Sequence, residues 1–291
     1  KNQPNPIQKF LLKTAILNRM TAPLCDTLME SGNSRSILSQ LDTDNLFLIP
    51  LDDERKWYRY HHLFADLLRK RMHQEYKYTV QKLHRRASAW FEANGLIVDA
   101  MTHSLKAQDF ERAAERIEQI GWATFTRGEM STVIRWITAL PQDILSSRPQ
   151  LRVLYAWALA KSGRLAEVDA SLNGVDPQKM RGEVAAVRAY VAGVHGNLSQ
   201  ALELAQIALA HLPEADLAMR AIVTQNLGVA YHWRGDPVAA TETLTKAAEL
   251  GRSAGQKFQT VTTLAILGRA HEMQGNLHMA AEIYQDAIAL A

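Results

Sequence analysis

The sequence predicts a mainly α protein in two parts: a small domain of short helices around one hairpin, then a long array of paired helices. Two observations carry this expectation. The stretch WYRYHHLFADLLRKR at 57–71 changes period midway. Trp57, Tyr58, Arg59 and Tyr60 alternate as a half-buried strand does, whereas Leu63, Phe64, Leu67 and Leu68 recur at helical spacing, with Arg69, Lys70 and Arg71 at the carbonyl end of that helix. Beyond residue 79 the chain repeats itself: Gly163, Gly196, Gly235 and Gly275 recur at spacings of 33, 39 and 40. The expected organisation is a small domain over 1–75, irregular helix pairs over 76–145 and a regular array over 146–291.

In chain order, Pro4 and Pro6 precede a first helix whose apolar face is Ile7, Phe10, Leu11, Ala15 and Ile16. Thr21 is placed to cap a second helix, with Pro23 in its first turn and Leu24, Cys25, Leu28 and Met29 inward. Gly32 and Asn33 are expected to end it, and Ser34 to cap a third helix containing Ile37, Leu38 and Leu41. Leu46, Phe47, Leu48 and Ile49 read as extended, Asp52, Asp53 and Glu54 as an acidic turn, and residues 57–60 as the return strand. Three helices, a hairpin and a closing helix predict a winged-helix arrangement. Its third helix, SRSILSQLDTDN, has Arg35 as its one cation and carries Asp42 and Asp44, a poor match to the phosphates of a major groove. The domain therefore reads as a structural and regulatory element, not as a DNA reader.

Past residue 76, one helix pair is broken at Gly95, another includes AQDFERAAERI at 107–117, and a third runs from Gly128 to TALP and Pro141. Arg148 and Pro149 begin the regular array. There, Gly supplies the left-handed residue that ends one helix, and the Asn or Asp after it (Asn197, Asp236, Asn276) helps start the next. The unit NLGVAYHWRGDPVAATETLTKAAEL resembles a tetratricopeptide repeat, with Leu227, Gly228, Tyr231, Gly235, Ala240 and Ala247 at the offsets of that repeat. The next unit keeps Leu267, Gly268, Gly275, Ala280 and Ala287 but has His271 where an aromatic is usual. Intervals above the usual length of about 34 residues imply longer helices or turns. Tetratricopeptide offsets put Trp157, Tyr190, Gln225, His232, Trp233, Arg269 and Glu272 on first helices, facing a concave groove. Aromatic and polar groups converging there suit a sugar-like or peptide ligand, although Trp and Tyr in such arrays also pack between helices.

A wider resemblance runs through the first half. NLFLIPLDDERKWYRYHHLFADLLRKR at 45–71 is similar to a segment of the MalT-type, LuxR-related ATP-dependent transcription regulators. QKFLLKTAIL at 8–17, APLCD at 22–26 and LHRRASAWFEANG at 83–95 agree with it in order. In that family the segment closes a winged-helix domain and leads into a helical-repeat sensor, so the resemblance implies the middle of a larger regulator. The start KNQPNPIQKF, without Met or a signal-peptide pattern, and the end DAIALA inside a helical pattern fit the same expectation. YHHLFADLL also resembles a motif of the signal-transduction NTPases in which a winged-helix histidine contacts the phosphates of bound ADP. His61 matches that histidine by position, and His62 stands where an acid is usual. An imidazole can donate to a phosphate and change its charge near neutral pH. The residues alone equally fit a strand-end pair, one ring buried and hydrogen-bonded and the other solvated.

Composition bounds the chemistry. With 47% hydrophobic and 22% charged residues the chain is globular, and no apolar run approaches the ~20 residues of a membrane span. Cys25 is the only cysteine, which excludes an intrachain disulfide and fits a reducing cytoplasm; flanked by Leu24 and Leu28, it reads as a small core residue. Residues 54–86 hold ten Lys or Arg against three acids, a local +7 in a chain of net +3, which would suit phosphates or a solvated linker. No GxxxxGK[ST] loop occurs: GRSAGQKF at 251–258 has the wrong glycine spacing and no Ser or Thr after Lys257. His61, His62, His73 and His84 match no metal-ligand spacing, and there is no HExxH or CxxC. Catalysis is not expected of this chain, nor a cofactor bound by it alone.

The resemblance thus implies an effector-sensing portion of an ATP-dependent regulator. ATP or ADP with Mg would bind an upstream ATPase module, and DNA a separate C-terminal helix-turn-helix domain. A small-molecule effector, protein or peptide would occupy the groove, and the active form would self-associate. The alternatives are a stand-alone tetratricopeptide scaffold and a DNA-binding winged helix fused to repeats.

Overall fold

The computed structural model describes residues 4–44 and 47–291 and, of residues 77 and 78, the backbone only. The chain forms two compact units, Lys1–Ala113 and Ala114–Ala291.

In the first unit, α1 (Asn5–Thr14) starts behind Pro4 and buries Ile7, Phe10 and Leu11, with Ala15 and Ile16 buried just past its end. Thr21 caps α2 (Ala22–Met29) as expected, its Oγ1 accepting the N–H of Leu24 at 3.4 Å. The end of α2 comes earlier than Gly32 and Asn33, because Glu30 already takes the left-handed conformation at φ 56°. Nor does Ser34 cap α3 (Ser34–Thr43): it is the first helical residue, and Asp26 Oδ1 accepts its N–H at 3.0 Å. A carboxylate at a helix start satisfies the free N–H and also complements the dipole, which a serine hydroxyl cannot do.

The hairpin pairs β1 (Leu48–Pro50) with β2 (Tyr58–Tyr60), Ile49 lying opposite Arg59. Its acidic turn is folded by Asp52, whose two carboxylate oxygens accept from the N–H groups of Lys56 and Trp57 at 2.7 and 2.9 Å. The part of the first strand expected at Leu46 lies outside the described residues. From this hairpin α4 (His62–Glu75) leaves directly. It buries Ala65, Leu68 and Met72 and leaves Leu63 and Leu67 exposed. Leu24, Cys25, Leu28, Leu38, Leu41, Tyr58 and Tyr60 join them in one core. The winged-helix pattern of three helices, hairpin and closing helix is thus observed.

Gly95, with φ 72°, turns α5 (Lys77–Ala93) into α6 (Ile97–Lys106). A polar seam joins the two. Ser88 Oγ donates to the carbonyl of Ala100 at 2.8 Å and lies 2.8 Å from Ser104 Oγ. His84 and His103 meet Nδ1 to Nδ1 at 2.7 Å, both buried. α7 (Phe110–Thr126) then runs from the first unit into the second.

The second unit is wholly helical among its described residues. α8 (Met130–Thr138), α9 (Gln142–Ser146), α10 (Pro149–Lys161) and α11 (Val168–Leu172) form the irregular part. Three pairs follow: α12 (Arg181–Val194) with α13 (Leu198–His211), α14 (Leu217–Arg234) with α15 (Pro237–Ser253), and α16 (Lys257–Met273) with α17 (Leu277–Leu290). First helices also touch one another along the array, α10 with α12, α12 with α14 and α14 with α16. Helices α14 to α16 have 17 or 18 residues, which accounts for the long repeat interval. Each turn within a pair is made by a left-handed glycine, as at Gly235 with φ 82°, followed at Asn197 and Asp236 by a side chain that caps the second helix. Close packing within a pair has a direct cause: a Cβ on Gly228 would lie 2.7 Å from Leu244 Cγ. Among the described residues no helix is long and apolar enough to cross a membrane.

Candidate functional site

In the first unit His61 sits between β2 and α4, its N–H donating to the carbonyl of Phe47 at 2.7 Å. Its imidazole is half-buried and lies 4.3 Å from the exposed ring of His62. That ring makes no hydrogen bond within the chain, so it retains a donor for a phosphate oxygen; this is the one feature among the described residues that fits a nucleotide role. The basic stretch is less free than its composition suggests. Arg55 pairs with Asp42, Lys56 with Glu54, Arg69 with Asp66, Arg71 with Glu75, Arg85 with Asp109 and Arg86 with Glu30. Acids from outside the stretch therefore absorb much of the local +7, and its surface is chiefly a network of solvated ion pairs.

In the second unit the residues expected to line a groove are distributed over the first helices in three settings. Trp157 on α10 is fully buried, 6.3 Å from Phe125 and 5.8 Å from Tyr190 by ring centroids. Lys161 lies 4.2 Å above the Tyr190 ring; burial pushes its ammonium down to about 8. Tyr190 and Trp233 line a common cavity of about 140 Å³ with Asn226, whose Nδ2 is buried without an acceptor. Trp233 is 70% exposed, and the half-buried His232 ring stands edge-on to it at 5.9 Å. Gln225 instead points into the packing between α14 and α16, its Oε1 accepting from Gln259 Nε2 at 2.5 Å. Arg269 and Glu272 are exposed on α16, and Glu272 accepts a hydrogen bond from Tyr284 Oη at 3.0 Å. The structure thus brings Tyr190, Trp233 and, behind them, Trp157 together, and separates Gln225, Arg269 and Glu272 from that cluster.

A second cavity, of about 540 Å³, opens where α10, α12, α14 and α16 begin. Val153, Met180, Met219 and Ile222 form a buried apolar floor, and Trp122 from α7 stands beside it. Gln150, Glu183, Asp216 and Gln256 supply the polar lining. None of these was singled out from the sequence. Tetratricopeptide offsets pointed to the later turns of each first helix, whereas this cavity is built at the starts, where Glu183 and Asp216 read as ordinary helix-start acids.

Comparison with known proteins agrees with this architecture. Residues 1–80 match the MalT winged helix domain, and residues 182–291 match the MalT-like TPR region. The HTH-type transcriptional regulator MalT of Cronobacter sakazakii is 31% identical over 242 residues, covering 81% of this chain; the chain spans 27% of that protein's length. The crystal structure of a signal transduction ATPase with numerous domains from Pyrococcus horikoshii, a protein with a tetratricopeptide repeat sensor, is similar in fold. The TM-score is 0.51 at 13% identity, over 99% of this chain and 50% of that one. With both domains present in that order and a MalT relative matching across most of its length, the chain belongs to the MalT-like family, of which it carries the winged helix domain and the TPR region.

Proposed function

We infer that this chain is the regulatory and effector-sensing portion of a cytoplasmic, ATP-dependent transcriptional regulator of the LuxR-related type. The observation that carries the reading is the succession, on one chain, of a MalT winged helix and a MalT-like TPR region whose first helices hold open cavities. Tyr190 and Trp233 are the aromatic contacts for an effector, with Trp157 and His232 holding their rings in place. The winged helix connects effector state to a nucleotide module elsewhere in the whole protein, where His61 would meet the phosphates of ADP. DNA binding and self-association belong to the whole protein in its active form. An effector acts only through a difference in affinity between the resting and active states.

A ligand of the folded array raises its melting temperature by mass action, so a thermal-shift screen of oligosaccharides, metabolites and peptides tests the reading. A shift abolished by Trp233→Ala supports it; binding that ignores Trp233 removes that residue from the site. One observation favours a protein partner as a second reading. Val194, Trp233, Val238, Met273 and Leu277 are exposed apolar residues at the turns within successive pairs, on one edge of the array. A shift with peptides and none with small molecules would select it.

A further inference from the structure

We propose that the cavity at the starts of α10, α12, α14 and α16 binds a small organic cation, an apolar body carrying a protonated amine. Its floor of Val153, Met180, Met219 and Ile222 offers carbon contacts that water does not satisfy. The Trp122 indole beside it attracts an ammonium group as well as an alkyl or aryl body. The polar groups above the floor are rich in free acceptors. Asp216 uses Oδ1 to receive the N–H of Met219 at 3.0 Å, which caps α14, and its Oδ2 receives nothing. Glu183 has no hydrogen-bond or ion-pair partner among the described residues. Gln256 Oε1 is buried without a donor. Among the described residues no Lys, Arg or His lines the cavity.

Acids at helix starts have an ordinary explanation, since the N–H ends of helices favour them. That explains the presence of Glu183 and Asp216. It does not explain a buried amide oxygen with no donor beside about 540 Å³ of open space over an apolar floor. A buried acceptor left unpaired is costly, and a ligand ammonium supplies both the donor and the counter-charge. An anion would meet two carboxylates and no cation. A neutral ligand would gain nothing from the charge. Glu183 lies two turns before Tyr190 on α12, so this site and the Tyr190–Trp233 cavity are different places and are tested apart.

Phenylbutylamine, phenylbutanol and phenylbutyrate share one body and differ in head-group charge. Calorimetric titration of the chain with each, near neutral pH, is the test. The amine should bind about tenfold or more tighter than the alcohol, and the acid most weakly. Glu183→Gln and Asp216→Asn, the latter keeping a capping oxygen, should each weaken the amine severalfold and leave the alcohol unchanged. Equal binding of the three heads, no response to either substitution, or no amine binding up to about 10 mM would overturn the proposal. If the amine fails while another effector gives a shift lost on Trp233→Ala, the cation site falls and the sensor reading stands. If the amine binds as described while no effector responds to Trp233→Ala, the sensor assignment falls instead.

Discussion

Mild acid should destabilise the first unit through its buried histidine pair. His84 on α5 and His103 on α6 are 2.7 Å apart through Nδ1, and the His103 ring stacks on Phe91 at 5.3 Å. Burial is the first cause that holds both imidazoles neutral. The Lys106 ammonium adds to it at both rings, and His73 and Arg69 add to it at His84. His84 is pushed down to about 4 and His103 to about 3. Those folded values lie below the ordinary value of about 6.5, so between them the unfolded chain binds protons that the folded pair refuses. Stability is therefore indifferent to pH well above 6.5 and falls as pH drops through it. At about one unit below 6.5 each histidine costs about 1.4 kcal/mol, or about 3 kcal/mol for the pair, a large share of a typical domain's stability. Carboxylates titrate mostly below this window, and exposed histidines are nearly the same folded and unfolded. The assay is urea unfolding followed by fluorine NMR of fluorotryptophan-labelled protein, in which Trp57 and Trp90 report the first unit separately from the other four tryptophans. The loss should be confined to those two signals and should vanish in a His84→Leu/His103→Phe variant. A flat profile, or greater stability in acid from a proton shared across the 2.7 Å contact, would refute the reasoning.

Three further outcomes are expected. Gly228→Ala should destabilise the repeat unit by about 1–3 kcal/mol, because the new Cβ meets Leu244 Cγ at 2.7 Å and its backbone N at 3.2 Å. Gly235→Ala, with open space around it but φ 82°, should cost about 1 kcal/mol through backbone strain alone; denaturant unfolding separates the two. Arg152→Met should cost about 2–3 kcal/mol in the same measurement. The buried guanidinium donates to the carbonyls of Leu145 and Asn173 and to Ser146 Oγ, and so ties α9 to the residue after α11.

Much of the fold was legible because it is encoded locally. The glycine that ends a helix, the Asn or Asp that starts the next, and the change of period at 57–71 are short-range signals of backbone chemistry. The misplaced cap at Ser34 shows the limit of such signals. The residue that performs the capping, Asp26, comes from the neighbouring helix, and only the fold brings it there. Leu63 and Leu67 show another limit. They share helical spacing with Phe64 and Leu68, yet the two pairs point to different sides of α4, and packing chose the side of Leu68. The cavity over Val153 and Met219 was not legible at all. Its lining comes from five helix regions spread between residues 122 and 256, and each contributing residue looks ordinary in its own helix. The Tyr190–Trp233 pairing was legible in part, because repeat offsets place equivalent turns of successive first helices side by side.

The central claim is that the paired-helix array is the ligand sensor of a MalT-like regulator. Hydrogen exchange of the whole protein, with and without an effector found by thermal shift, tests it most directly. The account predicts protection concentrated in α10, α12, α14 and α16 of the repeat unit, with a smaller, coupled change in residues 1–80. Protection confined to residues 1–80, with the first helices unchanged, would contradict it.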